Sequence, residues 1–134
     1  MAKMIFLNLP VKDLAVSTAF YGAIGCVKNE QFSKEDASAM VWSETNTFQL
    51  LRHDYYKTFT AKPIADAHKT NGMLIALSRD SREEVDAMVD AAAKAGGQAD
   101  VREPQDLGFM YLRTFADPDG HEFEPAYMDL SNAS

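Results

Sequence analysis

A single cysteine, Cys26, is all the thiol chemistry the chain carries, so no disulfide can close within it. A reducing compartment, the cytoplasm, is the natural expectation. No apolar run approaches the roughly 18 residues of a membrane span. The opening "MAKMIFLNLPVKDL" meets Pro10 before it builds the core of a secretory signal. Basic residues are outnumbered 13 to 20 and do not cluster, which leaves a net charge of −7 and no footprint for DNA or RNA. There is no Ser-His-Asp constellation, no phosphate loop, no dinucleotide fingerprint and no CxxC pair.

What is present fits one soluble α+β domain. The 134 residues are 46% apolar, enough for a core of ordinary size. "MIFLNLPV" (Met4 to Val11) predicts a buried strand with Ile5, Leu7 and Leu9 on one face and Phe6 and Asn8 on the other. In "KDLAVSTAFYGAIGC", Asp13 suits a helix N-cap, Leu14, Thr18, Tyr21 and Ile24 share a face, and Gly25 supplies the stop. Three strands are predicted next, at "VKNEQF", "SAMVWSE" and "TFQLLRH". The polar stretch from His53 to Gly72 then serves as a connection.

After Gly72 the pattern repeats. "MLIALSRD" predicts a strand, and "SREEVDAMVDAAAKAGG" a helix opened by a Ser81–Glu84 capping box and buried along Val85, Met88, Val89 and Ala92. Strands follow at "QADVRE", "GFMYLRTFAD" and "EFEPAYMD". The order β-α-β-β-β therefore occurs twice, the signature of an internal duplication. Aligning "FLNLPVKD" with "MLIALSRD" on their final aspartates sets Phe6 against Met73 and Asn8 against Ile75.

"ADPDGHEFEP" gathers Asp117, Asp119, His121, Glu122 and Glu124. It is either a cation site or an acidic turn. The turn needs only Pro118 at the first central position, Asp119 at the second and a left-handed Gly120, with Asp117 bonding the turn backbone. A calcium loop needs a longer spacing of oxygens than this segment has. Alternation beyond the turn puts Glu122 and Glu124 together, with His121 and Phe123 on the other face.

"LPVKDLAVSTAFYGAIG" and the closing "FADPDGHEFE" resemble the vicinal-oxygen-chelate superfamily, which includes glyoxalase I, bleomycin-resistance proteins and extradiol dioxygenases. The similarity runs over nearly the whole chain and looks closest to lactoylglutathione-lyase-related proteins. It implies two βαβββ modules, about 3–60 and about 72–129, in a single domain of residues 3–130 with one curved mixed sheet. It also implies a homodimer. Such families hold a divalent metal with one side chain in the first and one in the last strand of each module. Counting seven residues back from Asp13 and Asp80 gives Phe6 and Met73, and the last strands supply Gln49 and Glu124. Three of the four positions are thus replaced, and a phenyl ring, a thioether and an amide do not make a zinc site. The expectation is no metal and no cofactor.

Three functions stay open. The first is a metal-independent small-molecule-binding protein, or an enzyme of lyase or isomerase type, with Glu124 as acid–base group and Phe6, Asn8, Gln49, Met73, Tyr111 and Arg113 as ligand-binding residues. A carboxylate in an apolar cleft is pushed toward its protonated form and can donate a hydrogen bond. The second is a metal-dependent lactoylglutathione lyase or dioxygenase, and the third a non-enzymatic interaction module. Tyr111 and Arg113 either bind an anionic group, or Arg113 is a paired surface or structural arginine. His53, Tyr55, Tyr56 and Phe59 form either a lid or a packed connection, Trp42 lines a pocket or an interface, His68 is solvated, and Cys26 is a buried thiol.

Overall fold

A computed structural model describes residues 2–132 and divides into two compact units, one up to Asp66 and one from Ala67. Both are mixed α+β, and each sheet combines one parallel pair with antiparallel ones.

In the first unit β1 (Ile5–Val11) leads through α1 (Leu14–Ala23) to β2 (Val27–Lys28), β3 (Ala37–Val41) and β4 (Asn46–Arg52), assembled in the order β1-β4-β3-β2. Asp13 caps α1 by accepting the Val16 amide at 3.2 Å. Gly25 ends it at φ 117°, a left-handed geometry that glycine adopts without strain. The buried stripe of α1 runs through Ser17, Phe20, Tyr21 and Ile24, so the face expected through Leu14 and Thr18 is rotated toward Phe20. Tyr21 packs on Phe20 and Phe48 with ring centroids 5.4 and 5.5 Å apart, and Leu9, Val11 and Leu50 close the core. Thr18 instead shares a 2.8 Å hydrogen bond with the Ser38 hydroxyl at the edge of that stripe.

Two expectations are corrected here. "VKNEQF" is strand only at Val27–Lys28, because the Asn29 side chain accepts the Gln31 amide and turns the chain into a 3-10 turn, Glu30–Phe32. The connection begins as a one-turn helix, α2 (His53–Tyr56), rather than coil.

The second unit runs β5 (Leu74–Arg79), α3 (Arg82–Lys94), β6 (Gln98–Ala99), β7 (Gln105–Asp106), β8 (Met110–Leu112), β9 (Phe115–Ala116) and β10 (Glu122–Met128). β10 is central: it pairs parallel with β5 along one edge, and antiparallel with β9 and then β8 along the other. The single strand expected over "GFMYLRTFAD" is broken at Arg113 and Thr114. Pro125, opposite the break, has no amide to donate and only accepts, from the Arg113 amide at 3.2 Å. "QADVRE" is strand only at Gln98–Ala99, β6, which pairs with β9, and the next strand, β7, begins beyond it and pairs with β8.

α3 follows its predicted pattern. The Ser81 hydroxyl accepts the Glu84 amide at 3.1 Å, while the Glu84 carboxylate reaches back past the cap to the Asp80 amide at 3.4 Å. Val85, Met88, Val89 and Ala92 are buried, and α3 lies on β9 and β10, where Phe115 and Phe123 stack with centroids 5.1 Å apart. No helix among the described residues is long and apolar enough to cross a membrane.

Candidate functional site on the β5–β10 face

The acidic segment is a turn. Asp117, only 2% exposed, accepts the Asp119 and His121 amides on Oδ1, each at 2.9 Å. The Gly120 amide donates to the Asp117 carbonyl at 3.0 Å with Gly120 at φ 93°. A Cβ on Gly120 would lie 2.7 Å from the His68 backbone nitrogen, so close approach as well as φ requires glycine there. Asp117 is thus committed to the hairpin. Among the described residues no three His, Cys, Asp or Glu side chains are grouped as metal ligands.

Beyond the turn, β10 sorts its side chains by alternation. Phe123 and Pro125 are buried on the α3 side, while Glu122, Glu124 and Ala126 share the other face with their partners Leu74, Ala76 and Ser78 on β5. Glu124 is half-buried, its side chain 19% exposed. Its ionic neighbour is Arg102, whose Nη1 lies 3.7 Å from Oε2. The sequence led to an apolar setting for Glu124; the structure sets a cation beside it.

Arg102 falls inside the predicted strand "QADVRE" without a role; it sits instead in the irregular segment between β6 and β7. Thr114 places it. This side chain, 4% exposed, accepts the Arg102 amide at 2.9 Å and donates to the Arg102 carbonyl at 3.2 Å.

In the first unit Phe6 pairs with Thr47 and Asn8 with Gln49. Phe6 and Asn8 are exposed, and Gln49 is half-buried. The helix caps set how the two units correspond. Asp13 caps α1 and Ser81, not Asp80, caps α3, so Phe6 corresponds to Leu74 and Asn8 to Ala76. The alignment on Asp80 was one residue out, and one residue in a strand changes the face. Met73 precedes β5 and leaves the candidate set, and Leu74 takes its place. In the first unit Phe6 and Gln49 bear a ring and an amide, and in the second Leu74 and Glu124 bear an alkyl group and a carboxylate, so neither unit offers more than one charged donor for a divalent metal at these positions.

Tyr111 and Arg113 are engaged with α3. Tyr111 pairs with Tyr127 on the face opposite Glu124, and its hydroxyl donates to Asp86 of α3 at 2.7 Å. Arg113 makes a two-pronged bond to Asp100 at 3.0 and 2.8 Å and another to Asp86 at 3.0 Å, its side chain 15% exposed. The Tyr111 bond holds the Asp86 carboxyl below its ordinary range and raises the Tyr111 hydroxyl, and Asp100 raises the Arg113 guanidinium. These groups fasten α3 to the sheet rather than face a ligand.

Of the remaining candidates, Tyr55 packs edge-on against Phe59 at 5.0 Å and takes Lys34 over its ring at 4.0 Å. His53 is exposed at the start of α2, and His68 is exposed against the Gly120 turn. Trp42 is half-buried beside Gly25. Burial pushes the Cys26 thiol up to about 12.

Two βαβββ units and a closing acidic hairpin define a class, and the comparisons agree with it. The chain belongs to the glyoxalase/bleomycin resistance protein/dioxygenase superfamily, whose family model matches residues 3–124. Among solved structures it is similar to a hypothetical protein from S. aureus, at 28% identity and TM-score 0.79, over 95% of this chain and 94% of that one. A glyoxalase/bleomycin resistance protein/dioxygenase family enzyme from Burkholderia phytofirmans matches at 18% identity and TM-score 0.79, over 95% and 99% of the two chains. The fosfomycin resistance protein FosX from Listeria monocytogenes matches at 21% identity and TM-score 0.66, over 95% and 91%. No curated protein matches the chain.

Proposed function

We propose that this chain is a small-molecule-binding member of its superfamily that works without a divalent metal and uses Glu124 as its hydrogen-bonding or proton-transferring group. One observation carries the reading. Of the four positions where the family resemblance places metal donors, only Glu124 bears a charged donor group, and its neighbour is a guanidinium rather than a second ligand. A cation beside the carboxylate opposes a bound metal and favours an organic guest. Ala76, directly across from Glu124, is small and exposed, and Leu74 beside it adds apolar surface. On this reading Glu124 accepts a hydrogen bond from the guest, or takes a proton if a bond is made or broken.

A small-molecule fragment screen on chelator-treated protein, followed by backbone amide NMR, tests the proposal. Fosfomycin belongs in the set because a fold neighbour is a fosfomycin resistance protein. Bound fragments should shift the amides of Leu74, Ala76 and Glu124, and Glu124→Gln should weaken them about tenfold, the size of one charge-assisted hydrogen bond. Binding that appears only after zinc or nickel is added, or that ignores Glu124→Gln, would refute it.

A further inference from the structure

Arg113 and Arg102, both in the second unit, are held differently. Arg113 is enclosed, with Asp100 and Asp86 bonded at 2.8–3.0 Å. Arg102 touches Glu124 through one nitrogen at 3.7 Å, beyond hydrogen-bond reach, and its side chain is 49% exposed. Its backbone is fixed at both amide and carbonyl by the buried Thr114 hydroxyl, so the base of the side chain is rigid while its head is held only by charge. A pair with one half-exposed partner and no hydrogen bond contributes little to stability and opens at small cost. An arginine fork is shaped for two parallel bonds to a carboxylate or phosphonate, and Glu124 gives it neither.

Resting on the proposal that a guest sits beside Glu124, we infer that Arg102 is its specificity-determining residue and that the guest is a small zwitterion. Its anionic group docks on the Arg102 fork, and its amine, on a neighbouring carbon, is taken by the Glu124 carboxylate. The guest inserts into the loose ion pair and satisfies both halves, which neither a simple anion nor a simple amine can do. A body of modest size lies over Ala76 and Leu74, which present little bulk on the same face.

Four compounds of one skeleton test this: phenylalanine, N-acetylphenylalanine, phenylalaninamide and N-acetylphenylalaninamide, titrated while the amides of Ala76, Arg102 and Glu124 are followed by NMR. Phenylalanine should bind at least about tenfold tighter than the doubly blocked compound. Arg102→Gln should abolish that preference, with Arg102→Lys intermediate because it keeps the charge but not the fork. Equal binding of all four at these residues would overturn the assignment of Arg102 and of the zwitterion while leaving Glu124 as a ligand group. Shifts by none of the four, in a protein whose Ala76 and Glu124 do respond to other fragments, would overturn the zwitterion alone. No response to any fragment would overturn both.

Discussion

Gln49 on β4 and Glu124 on β10 hold the same register position in their respective units: Gln49 pairs with Asn8 as Glu124 pairs with Ala76, each across the parallel pair that includes the unit's first strand. The duplication has kept the backbone position and changed the chemistry. An amide and an acid are nearly the same size, but only the acid carries a charge. Whatever chemistry the second unit performs at this position, the first cannot reproduce with Gln49.

The Arg113 cluster is the structural counterpart of the looser Arg102 pair, and mutation separates the two. Arg113→Ala leaves Asp86 and Asp100 close together without their shared cation and should destabilise the fold by about 1–3 kcal/mol. Tyr111→Phe should lose about 0.5–1.5 kcal/mol. Glu124→Gln, removing a pair 3.7 Å long whose arginine is half exposed, should cost no more than about 1 kcal/mol. Denaturant unfolding of the three variants gives the order directly; Glu124→Gln proving the most destabilising would reassign that acid to structure.

Gly120→Ala tests the turn. The left-handed φ of 93° costs an alanine about 1–2 kcal/mol. The added carbon also meets the backbone of Ala67 and His68 at 2.7–2.9 Å, which backbone cannot easily relieve. A loss clearly larger than that φ penalty is expected in thermal unfolding. Gly22→Ala is the control, because it lies in the helix α1 and nothing stands within 4 Å of its added carbon. Equal effects at both positions would contradict the close packing of the turn.

Acid should release the β7–β8 hairpin in a defined window. Arg82 bonds both oxygens of Asp106 at 2.6 and 3.0 Å, and with the Gly108 amide it lowers the Asp106 carboxyl from 3.8 to about 2. A carboxyl lower in the folded than in the unfolded state stabilises above its unfolded value. That contribution fades as pH falls from 3.8 through about 2. The Gly108 amide resonance should therefore titrate with a midpoint near 2, and Asp106→Asn should remove the transition. A midpoint at the ordinary carboxylate value would contradict the ion pair.

Most of the fold was legible because it follows period and punctuation. The Val85, Met88, Val89 and Ala92 stripe, the Ser81 cap and the Pro118–Gly120 turn all rest on local chemistry that a sequence displays. What was not legible depends on pairing. The break at Arg113 answers the missing amide of Pro125 on another strand. Met73 came from counting back from Asp80, whereas Ser81, the residue that bonds the Glu84 amide, sets the face. Tyr111 and Arg113 read as sharing a face, with anion binding and a structural arginine both open, since alternation says which residues share a face and not which face is covered by a helix. Arg102 was missed altogether, because a loop arginine acquires its role only from the threonine and the glutamate it reaches.

The central claim is that Glu124 serves an organic guest and not a metal. Elemental analysis of protein purified without chelator, then equilibrated with zinc or nickel and desalted, tests it most directly. The account predicts that neither ion is retained in stoichiometric amount, in the wild type or in Glu124→Ala. One equivalent of either ion held by the wild type and lost in Glu124→Ala would contradict it.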